Sequence, residues 1–183
     1  MHVLAICGSL RAASSNGALL DAAARLAPEG VRVERFPGIA ALPHFNPDLD
    51  VDPPPPAVAA WRRALRDADA ILVSSPEYVH GVPGALKNAL DWIVSSGEFS
   101  GKPLALIDTS RSSYGTPQLR EILTTMEARL VPAASITLHL WTNRVDADAI
   151  LANERTAGAL RSAVDALVAS AREAAAAGAA ATL

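Results

Sequence analysis

The stretch Gly8-Ser9-Leu10-Arg11-Ala12-Ala13-Ser14-Ser15-Asn16-Gly17 gathers small and polar residues between an apolar run and a helical pattern. Ser9, Ser14, Ser15 and Asn16 would set short polar side chains beside the unfilled amides of a helix N-terminus. Gly8 permits a tight turn and a close backbone approach. That is the chemistry of an anion cradle. Arg11 adds a planar fork of donors suited to a phosphate monoester, which carries roughly −1.5 to −2 charges at neutral pH. The plainer alternative is a helix capped by Ser14 or Ser15, with Arg11 in solvent. The loop has neither Gly-x-Gly-x-x-Gly nor a Gly-Lys-Ser/Thr ending, which weighs against dinucleotide and nucleoside-triphosphate binding.

Two further loops have matching character. In Ser74-Ser75-Pro76-Glu77-Tyr78-Val79-His80-Gly81-Val82-Pro83-Gly84 the prolines and glycines stiffen the chain around an aromatic side chain. This suits a planar ligand that needs stacking on one face and backbone hydrogen bonds along its rim. His80 either approaches such a ring or sits in solvent as a loop or capping residue. The third loop, Thr109-Ser110-Arg111-Ser112-Ser113-Tyr114-Gly115-Thr116, is again small and polar and would line the far edge of a flat ring. Arg111 is open to ring carbonyls, to the phosphate of a nicotinamide nucleotide, or to solvent.

Strands and helices must position these loops. Apolar, β-branched runs at 3–7, 31–36, 70–74, 104–108 and 134–140 predict five strands. Between them, segments 17–26, 57–66, 85–94, 118–130 and 147 onward repeat apolar residues at helical spacing. Such alternation predicts βαβ units and an α/β, doubly wound, five-stranded parallel sheet with helices on both faces. In that architecture ligands bind beyond the carboxyl ends of the strands, here in the loops after strands one, three and four. Lys87 and Asp91 form an i, i+4 pair, and together with Trp92 they read as surface or subunit-interface residues. The Pro-rich stretch 37–56 reads as a fixed surface loop.

Composition narrows the function classes. A chain of 183 residues with net charge −3 and interspersed charges fits one domain and has no electrostatic footprint for nucleic acid or anionic membranes. No apolar run approaches the roughly 20 residues that span a bilayer, and the N-terminus lacks a signal peptide's features, so a cytoplasmic protein is expected. Cys7, the one cysteine, excludes an internal disulfide and a thiolate metal cluster. No catalytic triad, paired histidines or carboxylate cluster stands out, and no metal site is expected.

Gly8-Ser9-Leu10-Arg11 with Ser14 and Asn16, and Pro76-Glu77-Tyr78 followed by Val82-Pro83-Gly84-Ala85-Leu86-Lys87-Asn88-Ala89-Leu90-Asp91-Trp92, resemble the NADPH-dependent FMN reductase family. The likeness runs from Met1 to about Leu130. It implies one flavodoxin-like FMN-binding domain over residues 1–183, with FMN as cofactor and NADPH or NADH as co-substrate. By resemblance, Ser9, Arg11, Ser14 and Asn16 hold the FMN phosphate; Ser15 joins them as a candidate on the loop's own chemistry. Pro76, Glu77 and Tyr78 border the isoalloxazine, and Ser110, Arg111 and Ser112 contact its pyrimidine side. Many relatives have Asn where this chain has Val79, so one side-chain hydrogen bond to the flavin passes to the backbone. The implied activity is hydride transfer from NAD(P)H to FMN and onward to a small acceptor: free flavin, quinone, azo compound or metal oxyanion. No side chain need act as acid or base, because the cofactor carries the chemistry. A homodimer or homotetramer is implied. The alternative from another class is a flavodoxin-type electron carrier that does not oxidise NAD(P)H itself.

Overall fold

The computed structural model describes residues 1–109, 113–140, 142 and 144–181. Strands β1 (His2–Cys7), β2 (Arg32–Arg35), β3 (Ala70–Ser74), β4 (Pro103–Thr109), β5 (Arg129–Leu130) and β6 (Ile136–Leu138) form one sheet. Its order is β2-β1-β3-β4-β5, with β6 also on β4, and all pairs are parallel.

The expected five strands become six in five lanes. β5 pairs with Pro103 and Leu104, while β6 pairs with Ile107, Asp108 and Thr109, so both lie along the same edge of β4. A 3-10 turn at Pro132–Ala134 separates them. Proline has no amide to give a ladder, so the lane is interrupted there.

Helices α1 (Ser15–Leu26), α5 (Ala147–Ala152) and α6 (Glu154–Ala181) cover one face of the sheet; α2 (Pro56–Arg66), α3 (Gly84–Asp91) and α4 (Gly115–Thr125) cover the other. The alternation within each strand assigns the faces. Val3, Ala5, Leu72 and Ile107 pack with Leu19, Leu160 and Val164. Leu4, Ile6, Val73 and Leu106 pack with Trp61, Leu86, Leu90 and Leu123.

α4 ends well before the expected residue 130. Glu127 has φ 58°, the Glu127 amide donates to Thr124 O and the Ala128 amide to Leu123 O, each at 3.0 Å. This paired bonding is a Schellman stop built on a non-glycine residue, and it releases residues 129 and 130 into the sheet.

The Pro-rich stretch 37–56 is fastened to α3. The indole N–H of Trp92 donates to Pro43 O at 2.8 Å, and Asn88 both donates to Pro43 O at 2.9 Å and accepts from the Phe45 amide at 2.7 Å. Phe45 meets the Trp92 ring edge-on at 5.1 Å. Trp92 is therefore fully buried, which corrects its reading as a surface or interface residue. Lys87 and Asp91 do form the exposed ion pair, at 2.5 Å. No helix among the described residues is long and apolar enough to cross a membrane.

Candidate active site at the carboxyl end of the sheet

β1 is the strand at which the chain's winding reverses, because β2 lies on one side of it and β3 on the other. The loops after β1 and β3 therefore face one crevice. Cys7 pairs with Ser74, so the two strands end side by side, and the Gly8 amide donates to Ser74 O at 2.9 Å. A Cβ on Gly8 would lie 2.2 Å from Ser75 Oγ and 2.8 Å from Ser75 Cβ, so only glycine fits between the loops. Cys7 is half-buried, and burial pushes its thiol up from the ordinary value.

In the first loop Ser14 is the N-cap of α1, its hydroxyl accepting from the Gly17 amide at 3.4 Å. The amides of Ser15 and Asn16 remain without an acceptor inside the helix. Ser9 Oγ accepts from the Arg11 amide at 3.2 Å and lies 3.5 Å from the Tyr78 hydroxyl. Arg11 is exposed, and its guanidinium forms no ion pair among the described residues. Asn16 turns inward: its Oδ1 accepts from Ser74 Oγ at 2.9 Å, fixing the helix start against β3.

In the second loop residues 78–81 form a minimal hairpin. Tyr78 and Gly81 exchange two backbone hydrogen bonds of 3.0 Å, and Val79 and His80, at its tip, have φ of 50° and 60°. Two successive left-handed residues define a type I′ turn, which favours Asn and Gly. Val79 is fully exposed there. The Glu77 carboxylate accepts from the Tyr114 and Gly115 amides at 2.7 and 2.8 Å, so it caps α4. Gln118 accepts from the Val82 amide at 2.8 Å, and the His80 ring stacks on Tyr114 with centroids 4.2 Å apart. Three contacts thus staple the second loop to the third loop and α4. Ser110, Arg111 and Ser112 lie outside the described residues.

Beneath these contacts Asp108 closes β4. It is buried, one carboxyl oxygen has no partner among the described residues, and burial pushes its carboxyl above the ordinary range; bonds from Thr116 and the Thr109 backbone oppose the shift. Sequence reasoning missed Asp108, Gln118 and Tyr114 as members of this assembly. Asp108 looked like a strand residue, and nothing local marks a partner 36 residues away such as Val82 for Gln118.

Between the first two loops lies a cavity of about 410 Å³ lined by Gly8, Leu10, Arg11, Tyr78, Pro83, Gly84 and Ala85. The assembly offers helix-start amides with the exposed Arg11 beside them, an aromatic edge and a stiff hairpin. It offers no cluster of three or more metal-ligating side chains among the described residues.

The NADPH-dependent FMN reductase family matches residues 1–143, somewhat further than the sequence motifs alone extend. An NAD(P)H-dependent FMN reductase of Pseudomonas aeruginosa is 35% identical over 161 residues, covering 85% of this chain and 86% of its own. A quinone reductase of Escherichia coli is 31% identical over 153 residues, covering 80% and 81%. Among solved structures, the flavoenzyme NAD(P)H:(acceptor) oxidoreductase FerB of Paracoccus denitrificans matches with a TM-score of 0.75 and 28% identity, covering 94% of this chain and 97% of that one. The family match spans most of the sequence, the relatives align over nearly their full lengths, and the crevice lies where a doubly wound sheet binds its ligand: the chain belongs to the NADPH-dependent FMN reductase family.

Proposed function

We propose that the first loop and the hairpin hold FMN, and that the protein passes electrons from NAD(P)H to a small quinone-type acceptor. As a member of its family the chain is an NAD(P)H-dependent flavin oxidoreductase with FMN as cofactor. The observation that carries the placement is the cradle itself. It combines glycine-only space at Gly8, the Ser14 cap, free amides at the start of α1 and the exposed Arg11.

The residues present fit the group. Ser9, Ser14 and Ser15 and the α1 amides suit the phosphate oxygens, with Arg11 supplying the fixed charge. Asn16 acts through its backbone, since its side-chain oxygen is engaged by Ser74. Tyr78 and the backbone of residues 76–79 suit the edge of a flat ring. Glu77 works behind that edge, holding the hairpin against α4. When bound, FMN supplies a ring that accepts hydride and returns it. The chain's task is to fix that ring, leave one face open to both substrates and keep competing groups away. Quinone as the acceptor class rests on the named activity of the Escherichia coli relative and on the exposed aromatic rim of Tyr78 and Tyr114.

The protein also assembles as a dimer or tetramer in this reading. A groove of about 510 Å³ between α3 and α4, lined by Leu90, Ile93, Ile122 and Met126 and flanked by the exposed Val94, supports it. A monomeric mass at micromolar concentration would remove that part.

The decisive experiment is anaerobic stopped-flow on protein reconstituted with FMN, following flavin absorbance after NADPH or NADH. Rapid bleaching is expected, and the faster nucleotide is the donor. Bound flavin that stays oxidised would instead identify an electron carrier, and failure to bind FMN would remove the site assignment.

A further inference from the structure

We propose that the stacked His80–Tyr114 pair is the acceptor-binding wall of the site and that it takes flat quinone rings, the imidazole donating a hydrogen bond to a quinone carbonyl. This rests on the FMN placement above and adds the residues that choose the acceptor. Three observations carry it. The rings are parallel to within 26° at 4.2 Å, yet both residues are exposed, with Tyr114 at 57%. A stacked pair that buries so little does not serve the core. The pair is also held from both sides: Glu77 fixes the Tyr114 amide, the Tyr78–Gly81 bonds close the hairpin, and Gln118 holds Val82. Finally, Val79 and His80 keep left-handed backbone with no burial to offset the strain. Strain retained at an exposed tip marks a surface built for contact.

Chemistry selects the occupant. A two-ring aromatic face favours planar, electron-poor rings, and a quinone is one. His80 adds a side-chain N–H donor to this exposed face. A metal oxyanion or a hexacyano complex gains nothing from stacking.

The test uses FMN-loaded protein with 1,4-naphthoquinone and ferricyanide as alternative acceptors. His80→Ala is expected to raise the ratio of the two KM values, naphthoquinone over ferricyanide, about tenfold, the equivalent of one aromatic contact. His80→Phe keeps a ring but lacks the N–H donor, and should recover only the stacking part of that ratio. A variant whose hairpin had merely collapsed would raise both KM values together and leave the ratio unchanged, which would overturn the proposal. So would a rise confined to the KM for NAD(P)H, which would assign the wall to nicotinamide. A second readout needs no turnover. Naphthoquinone added to the oxidised protein should shift the His80 ring proton resonances, with His2, His44 and His139 as internal references; equal or absent shifts would overturn the assignment. Because this readout works without hydride transfer, it separates failure of the wall from failure of the reductase reading.

Discussion

Arg11 and Asp108 occupy one end of the sheet in opposite circumstances, one exposed and without an ion pair among the described residues, the other buried. For Arg11 the expected outcome follows from charge-assisted bonding at an exposed position: Arg11→Ala should weaken FMN binding by about 1.5 kcal/mol, read as quenching of free flavin fluorescence. An unchanged dissociation constant would take Arg11 out of the cradle. For Asp108 the effect is on stability. Burial, with a smaller contribution from Glu77, raises its carboxyl in the folded state, against the Thr116 and Thr109 bonds and Arg120. The folded protein therefore holds this proton more tightly than the unfolded chain, so stability falls as pH rises through the raised value. Asp108→Asn, which has no charge to bury, should raise the melting temperature at neutral pH. The gain should fade towards acid, where the wild-type side chain is protonated, and a gain independent of pH would contradict this account.

The hairpin and α4 show what a local pattern can and cannot reveal. The loops after β1 and β3, the helix start at Ser14 and the glycine-only position at Gly8 were legible in the sequence, because each depends on neighbours within a few residues. The Glu77 cap, the His80–Tyr114 stack and the Gln118 contact were not, since each joins residues more than thirty positions apart. The end of α4 was hidden for another reason: Glu127 takes the left-handed role that glycine usually signals. At the hairpin tip the same conformation falls on a β-branched residue, which tolerates it poorly. Val79→Asn is expected to stabilise the protein by about 1 kcal/mol, the scale of one relieved left-handed residue. Urea unfolding would measure it, and a midpoint unchanged or lowered would mean that Val79 makes a compensating contact.

At the scale of the whole molecule, the doubly wound parallel sheet and two-faced core were readable because buried alternation and βαβ spacing are properties of the entire chain. The anchoring of the 37–56 stretch was not. Arg62 reaches Asp50 at 2.6 Å and Trp92 O at 2.6 Å, while Ser95 donates to Asp50 at 2.5 Å. The Ser95 bond and then Arg62 hold the Asp50 carboxyl below its ordinary value. Its stabilisation is therefore present at neutral pH and lost as pH falls through the lowered value, opposite in sign to Asp108. Asp50→Ala leaves the buried Arg62 without its counter-charge and should cost about 3 kcal/mol at neutral pH. Denaturant titration would show it, and a loss below 1 kcal/mol would mean that the Trp92 carbonyl alone satisfies the guanidinium.

Two helices, α1 and α4, begin at the same rim of the sheet, and each start has the positive end of a helix dipole. Glu77 already fills the second with a carboxylate from the chain itself. The chain thus occupies the α4 start with its own carboxylate and leaves the α1 start to an outside acceptor. An anion arriving at this rim meets repulsion at one of the two dipoles and attraction at the other.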